Sequence, residues 1–307
     1  MSVNDANSIC RDTCICCGTL CFSYLGMSMK RRHALIPNVL TIAGTDPTGG
    51  AGIQADLKAF SAQGTYGMSV VTAVVAQNTR GVGSIFAMEP DFVAEQIAAV
   101  FEDVRVDAVK IGMVANAKIA DAIAQSLDKY AKCPVVLDPV MVAKIGDHLM
   151  KQDDVEAIRD RLVPRATLIT PNLPEASVLL GRDVEMGSLE EMRDSLDDLR
   201  ALGSDWVLLK GGHLGGEEST DILTGDETVE LTAPRVDTVN DHGTGCTLSA
   251  AIAALLPHHG YVEAVTRAKE YLTEALRHAD DLEVGSGHGP VHHFHALWTS
   301  DLQGAKR

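Results

Sequence analysis

The stretch Asn240-Asp241-His242-Gly243-Thr244-Gly245-Cys246-Thr247 runs straight into an alanine-rich, apolar segment, residues 248–256. Two glycines at a loop-to-helix junction let successive backbone N–H groups converge on one concavity, where the dipole of the following helix favours negative charge. That is an anion hole suited to a phosphoryl group in transfer, with Gly243, Thr244, Gly245 and Cys246 around it. A helix start that needs glycine only for its turn would carry the same letters, so this motif does not stand alone. Lys210 follows the apolar run Trp206-Val207-Leu208-Leu209 and precedes two glycines, a placement that brings a cation to nucleotide phosphates. Its bland alternative is a solvated lysine at a strand end. Asp138 and Glu175 each follow a candidate strand, and two carboxylates so placed suit Mg²⁺ held largely through water and substrate phosphates. Glu175 is equally explained as a first-turn acid favoured by a helix dipole.

These residues need elements to bring them together. From residue 38 onward, short β-branched runs alternate with helical segments, the pattern of a mostly parallel sheet covered by helices on both faces. Candidate strands are residues 39–43, 68–75, 108–112, 135–138, 167–170 and 206–210, and residues 52–60 form a helix. Ile119, Ile123, Leu127 and Tyr130 recur at helical spacing, giving one apolar face. Residues 220–223 and 228–231 read as an antiparallel edge hairpin. In such sheets ligands lie beyond the carboxyl ends of the strands. There the sequence has Gly44-Thr45-Asp46-Pro47-Thr48-Gly49-Gly50, Gln77-Asn78-Thr79, Asp138-Pro139-Val140-Met141, Thr170-Pro171-Asn172-Leu173-Pro174-Glu175 and Lys210-Gly211-Gly212-His213. Each alone is turn chemistry; together they describe a polar, glycine-lined pocket. The chain lacks GxxxxGK[ST], so phosphoryl transfer here is not of the P-loop type, and the first strand is not followed by the GxGxxG of dinucleotide-binding dehydrogenases.

A formal net charge of −16 argues against a nucleic-acid or anionic-membrane surface. No apolar run reaches the length of a membrane span, so the expected location is the cytoplasm. Five of the seven cysteines fall between Cys10 and Cys21, with no second CxxC pair and no histidine partners, so a metal site there is disfavoured. Residues 1–37 are read as a disordered extension, with Met27 or Met29 as a candidate true start. Residues 38–298 form one domain and 299–307 a tail. The histidines of Gly287-His288-Gly289-Pro290-Val291-His292-His293-Phe294-His295 are read as structural or solvated, because closely spaced histidines in an extended segment point in different directions.

Taken in order, TIAGTDPTGGAGIQADLKAF, VVAQNTRGV, DAVKIGM, VVLDPVM, LITPNLPEA, LLKGGH, HGTGCTLSAA and GPVHHFH resemble the ribokinase-like superfamily, specifically its hydroxymethylpyrimidine kinase branch. The similarity spans residues 38–298. It implies a three-layer α/β/α fold with a central, mostly parallel sheet and an edge hairpin. It also implies ATP- and Mg²⁺-dependent phosphorylation of 4-amino-5-hydroxymethyl-2-methylpyrimidine and then of its monophosphate, for thiamine biosynthesis. By the resemblance, Gly44, Asp56, Gln77, Met113 and Val140 contact the aminopyrimidine, Asp56 and Gln77 reading its polar edge. Lys210, Asn172 and Glu175 fall to the nucleotide and Mg²⁺ side, and related enzymes form homodimers.

Cysteine at position 246 replaces the aspartate base of many superfamily members. Two roles are open for it: a backbone N–H at the anion hole, or a thiol that a helix N-terminus would shift toward thiolate. Alternatives to the whole reading are a pyridoxal or pyridoxine kinase, whose ring also carries a hydroxymethyl group, and a pyrimidine sensor without catalysis.

Overall fold

The computed structural model describes residues 35–141 and 152–298. The N-terminal cysteine cluster, Met27, Met29 and the 299–307 tail lie outside the described residues. The chain runs β1 (Asn38–Ala43), α1 (Gly52–Ala62), β2 (Tyr66–Val71), β3 (Ala73–Asn78), β4 (Gly81–Ala87), α2 (Pro90–Asp103), β5 (Ala108–Ile111), α3 (Ala117–Tyr130) and β6 (Val135–Leu137). It continues with α4 (Gln152–Ala157), β7 (Leu168–Ile169), α5 (Leu173–Leu179), α6 (Leu189–Asp194), α7 (Leu196–Arg200), β8 (Trp206–Leu209), β9 (Glu218–Thr224), β10 (Thr228–Pro234), α8 (Thr244–Leu255) and α9 (Tyr261–Arg277).

Eight strands form one sheet in the order β10-β9-β8-β7-β6-β5-β1-β2. Pairing is parallel from β2 across to β8, and β9 and β10 are added antiparallel. This is the mostly parallel sheet with an edge hairpin expected from the sequence. The central strands β1, β5, β6, β7 and β8 are buried on both faces, and their side chains alternate between two apolar layers. Leu40, Ile42, Val109, Ile111, Val135, Leu137, Val207 and Leu209 join one core with Ile119, Ile123, Ala176 and Leu199. Val39, Ala108, Val136, Leu168 and Leu208 join the other, with Phe60 of α1, Ile252 of α8 and Val265 of α9. Period two along each strand therefore produces the three layers.

Two features depart from the sequence reading. The strand expected over 68–75 is broken at Thr72, and β3 leaves the main sheet to form a separate two-stranded sheet with β4. Thr72 is pinned there: its N–H donates to Ala43 O at 3.0 Å and its Oγ1 to Met113 O at 2.7 Å. The run Ser69-Val70-Val71-Thr72-Ala73-Val74-Val75 carries no glycine or proline to mark the break. The second departure is the start of α8, which begins at Thr244 and not at Leu248, so Thr244, Gly245 and Cys246 form its first turn.

Candidate active site

Parallel register sets the floor of the site. Ile42 is aligned with Ile111, Ile111 with Leu137, and Leu137 with Ile169. Gly112, Asp138 and Thr170 therefore emerge at one level beyond the carboxyl ends of neighbouring strands, with the Gly44 loop beside them. Asn172 and Lys210 are paired one step further on in a parallel bridge, and Lys210 N–H donates to Pro171 O at 2.9 Å. Asp138, Glu175 and Lys210, distant in sequence, are thereby collected into one cluster. Lys210 Nζ lies 3.0 Å from Asp138 Oδ1 and 3.9 Å from Glu175 Oε2. Thr170 Oγ1 donates to the same Asp138 oxygen at 3.1 Å. Burial would push the Asp138 carboxyl up, but the Lys210 and Lys110 ammonium groups and the Thr170 hydroxyl hold it below its ordinary value.

The first turn of α8 sits directly above this cluster. A Cβ on Gly245 would stand 3.2 Å from Lys210 Nζ and 3.5 Å from Asp138 Oδ2. The cation thus lies against the backbone of the first turn of α8. Gly243, the N-cap of α8, has φ +78° in the left-handed region, and a Cβ there would fall 1.8 Å from Gly50 O. Only glycine satisfies both the dihedral and the close approach of the two loops. The Cys246 thiol is pushed up to about 11, chiefly by burial and further by the nearby Asp56 and Asp138 carboxylates, against the opposing pull of Lys110. The thiolate that a helix N-terminus alone would favour is therefore not the resting state. Desolvation is the largest cause, and the repulsion of the two carboxylates adds to it.

Glu175 does double duty. Its Oε2 accepts from Asn172 N–H at 2.8 Å, while Asn172 Oδ1 accepts from Glu175 N–H at 2.8 Å, closing a capping box at the start of α5. The plain helix-start role is real, and it also fixes the carboxylate beside Lys210. Burial raises the Glu175 carboxyl to about 7, Lys210 opposing and Asp138 adding to the rise. Among the described residues no group of three or more His, Cys, Asp or Glu side chains is arranged to hold a metal. Asp138 and Glu175 supply two carboxylates flanking one ammonium. That donor set fits a cation held mainly by water and phosphate oxygens.

On the other side of the floor, Gly44 packs against Met113, since a Cβ on Gly44 would fall 2.5 Å from Met113 Cε. Val140 follows Asp138 closely, its N–H donating to Asp138 O at 2.8 Å. Gln77 lies at the irregularity of the β3 and β4 ladder, with its side chain near that of Asp46. Asp56, the expected polar edge-reader, is also tied into the sheet. Both its oxygens lie 3.0 Å from Lys110 Nζ, one also accepts from Thr41 Oγ1 at 2.6 Å, and the side chain is fully buried. Its carboxylate is thus already engaged by the sheet. A lysine inside the apolar strand Ala108-Val109-Lys110-Ile111 is the sequence signal for this pair, because a charge there must have a buried partner.

Asp46 and His242 also escaped the sequence reading. Asp46 accepts hydrogen bonds from Gly50 and Ala51 N–H, Thr48 N–H and Oγ1, and His242 Nε2 at 2.8 Å, so it ties the loop after β1 to the loop before α8. Burial would raise its carboxyl, but His242, Thr48 and Gln77 hold it well below the usual carboxylate range. In the histidine-rich tail, buried His293 Nε2 lies 3.1 Å from Thr247 Oγ1 on α8, and His242 N–H donates to Gly289 O at 3.0 Å. The tail thus braces the anion hole from behind.

Residues 46–292 match the phosphomethylpyrimidine kinase family. The hydroxymethylpyrimidine/phosphomethylpyrimidine kinase of Escherichia coli K12 is 56% identical over 263 residues, covering 85% of this chain and 98% of that protein. The solved phosphomethylpyrimidine kinase of Clostridium difficile 630 is 44% identical with a TM-score of 0.69, over 78% of this chain and 99% of its own. An ADP complex of Bacillus subtilis pyridoxal kinase superimposes with a TM-score of 0.79 at 36% identity, over 86% of this chain and 100% of its own. The ribokinase-like fold is common to both kinds of kinase, whereas identity rises toward the pyrimidine enzymes. With a match that runs from the loop after β1 to the tail bracing α8, this chain belongs to the hydroxymethylpyrimidine/phosphomethylpyrimidine kinase family.

Proposed function

We propose that this kinase transfers the γ-phosphoryl of ATP to the hydroxymethyl oxygen of 4-amino-5-hydroxymethyl-2-methylpyrimidine, and then a second phosphoryl to the monophosphate, for thiamine biosynthesis. The observation that carries this reading is the packing of the α8 first turn onto Lys210 and Asp138, with Gly245 at the contact. Backbone N–H groups of Gly245 and Cys246 face the charge that develops on the transferring phosphoryl, and Lys210 supplies a fixed cation beside it. Phosphoryl transfer of this kind depends on positioning and charge stabilisation more than on a strong base. The hydroxymethyl oxygen bonds to phosphorus as the bridging bond to ADP breaks, and its proton leaves to solvent. The Cys246 thiol stays protonated throughout. Mg²⁺, with Asp138 and Glu175 as its protein ligands, supplies neutralisation of phosphate charge when bound.

Gly44, Asp56, Gln77, Met113 and Val140 are the residues assigned to the ring, with the Asp56 carboxylate held by Lys110. Pyridoxal kinase activity is the second reading, favoured by the close superposition on the Bacillus subtilis enzyme. The 56% identity to the Escherichia coli enzyme supports the pyrimidine as the main substrate. A homodimer is proposed on the exposed apolar side chains of the β3 and β4 hairpin, Val74, Val82, Ile85 and Phe86. No described helix is long and apolar enough to cross a membrane, which accords with a proposed cytoplasmic location. The proposed domain limits are 38–298 for the kinase, with 1–37 and 299–307 outside it. A coupled assay of ADP release with the pyrimidine alcohol, its monophosphate and pyridoxal tests the reading. Turnover with pyridoxal far above that with the two pyrimidines would overturn it.

A further inference from the structure

The glycine-rich loop that follows Lys210 is held by a residue from another part of the chain. Arg235 lies just past β10, at the head of the segment leading to Gly243, and its side chain is exposed. Its guanidinium donates from Nη1 to Gly212 O at 2.9 Å, from Nε to Gly216 O at 3.0 Å, and from Nη2 to Leu214 O. Its backbone N–H donates to Glu217 O at 2.8 Å. Three alternate carbonyls of one loop therefore converge on a single planar cation, a geometry for which the rigid guanidinium fork is suited and a point-charge ammonium is not. All peptide bonds described are trans. Within each of those three peptide units the N–H points opposite to the carbonyl, so the amides of His213, Gly215 and Glu217 are turned away from Arg235.

The start of the same loop is fixed from below. Gly211 N–H donates to Asp221 Oδ1 at 2.9 Å, and Asp221 Oδ2 pairs with Lys269 Nζ of α9 at 2.7 Å, both side chains being buried. A Cβ on Gly211 would fall 2.0 Å from Thr220 O. The loop is thus anchored at its first residue by β9 and α9 and along its length by Arg235. Left free, a loop containing Gly211, Gly212, Gly215 and Gly216 would have large conformational entropy to lose when a ligand orders it.

We infer that Arg235 is a positioning residue for the nucleotide: it pre-organises the loop after Lys210 and joins it to the segment leading to the anion hole. This rests on the assignment of Lys210 to the phosphate side. Arg235 spends its donors on loop carbonyls and not on the reacting atoms, so it acts through the loop. Its loss should appear in nucleotide affinity, while the ring side of the site, built on β1, β5 and the β3 hairpin, is unaffected.

The test compares Arg235→Ala and Arg235→Lys with the unaltered protein, measuring ADP affinity by calorimetry, KM for ATP and for the pyrimidine alcohol, and melting temperature. Losing charge-assisted hydrogen bonds to an ordered loop predicts ADP binding and KM for ATP worse by roughly tenfold in the alanine variant. KM for the alcohol should stay within about twofold, and the exposed site should leave melting nearly unchanged. Lysine should recover part of the loss and not all of it. ADP affinity unchanged in Arg235→Ala overturns the inference. So does a parallel rise in both KM values with a fall in melting temperature, which marks a merely structural residue. If the unaltered protein binds ADP yet phosphorylates neither pyrimidine, the substrate assignment fails while the ADP comparison still decides the role of Arg235. If it binds no ADP, both fail together.

Discussion

Lys110, on the central strand β5, reaches both carboxylate oxygens of Asp56, on α1, at 3.0 Å with neither side chain touching solvent. Burial alone would lower the Lys110 ammonium, but Asp56, Cys246 and Asp138 around it more than offset that and hold it above its ordinary value. Burial pushes the Asp56 carboxyl up in turn, with Lys110 and Thr41 opposing, and the two 3.0 Å contacts from one ammonium to both carboxylate oxygens are the geometry of an ion pair. The pair fastens α1 to the sheet. Lys110→Met leaves a buried carboxylate without its partner, which costs about 3–5 kcal/mol. Urea unfolding should show that loss, and Asp56→Leu combined with Lys110→Met should be the more stable of the two proteins. A double variant no more stable than the single one would show that the pair is not a unit.

The two glycines of the anion hole should respond differently to alanine. At Gly243 the backbone has φ +78° and a Cβ would overlap Gly50 O at 1.8 Å, so Gly243→Ala must displace one loop or the other. Removing a hole of aligned donors costs on the order of 10²–10³ in kcat. At Gly245 the nearest atom to a Cβ is a side-chain end, Lys210 Nζ at 3.2 Å, which must give by only a few tenths of an ångström. Gly245→Ala should therefore fold normally and lose less turnover, with the loss concentrated in KM for ATP. Equal kcat in the two variants would contradict the geometry.

Much of this arrangement was legible in the sequence because it depends on strand ends. The alternation of β-branched runs with helical segments gave the sheet, and polar residues at run ends located Gly44, Asp138, Asn172 and Lys210. What stayed hidden depends on pairing across the chain. Lys110 reads as an odd charge in an apolar strand until Asp56 is seen opposite, and His242 reads as part of a glycine motif until Asp46 meets it at 2.8 Å. The break at Thr72 is set by hydrogen bonds to Ala43 and Met113, not by local propensity. The start of α8 is hidden in the sequence because Thr244, Gly245 and Cys246 are weak helix formers, yet Gly243 in the left-handed region begins the helix there.

Glu175 should give stability an unusual pH dependence. In the fold its carboxyl is raised from 4.5 to about 7, first by burial and then by Asp138. Between those two values the folded protein holds a proton that the unfolded chain has released, so stability falls as pH rises through that window. Glu175→Gln keeps an acceptor for Asn172 N–H and removes the titration. The stability difference between the two proteins should shift in favour of glutamine by roughly 1–3 kcal/mol from about pH 5 to about pH 7.5. A pH-independent difference in urea midpoints would contradict it.

The proposed domain limits predict that a chain beginning at Met29 keeps full kinase activity and melting temperature. The 56% identical Escherichia coli enzyme is covered over 98% of its length by 85% of this chain, which supports an extension outside the kinase unit. A drop of many degrees in melting temperature on truncation would make the cysteine-rich segment part of the fold.

Cys246 separates a backbone role from a thiol role. Its sulfur lies near Asp56, Asp138 and Lys110, and desolvation pushes the thiol up to about 11, which favours the protonated form at neutral pH. A base must be able to take the substrate proton at working pH, which this thiol does poorly. The backbone N–H of residue 246 survives substitution, so Cys246→Ala should retain substantial turnover at saturating ATP. Gly245→Pro removes an N–H within the same turn and fixes φ, and should abolish turnover. The pH profile gives a second reading: between about pH 6 and 9 the profiles of the alanine variant and the unaltered protein should run parallel, since the thiol does not titrate there. A thiol base would instead cost the alanine variant roughly 10²–10⁴ in kcat, with part of the rate returning in Cys246→Asp. Near-complete inactivity of Cys246→Ala, with normal folding and normal binding of both substrates, would give the proton transfer to the sulfur.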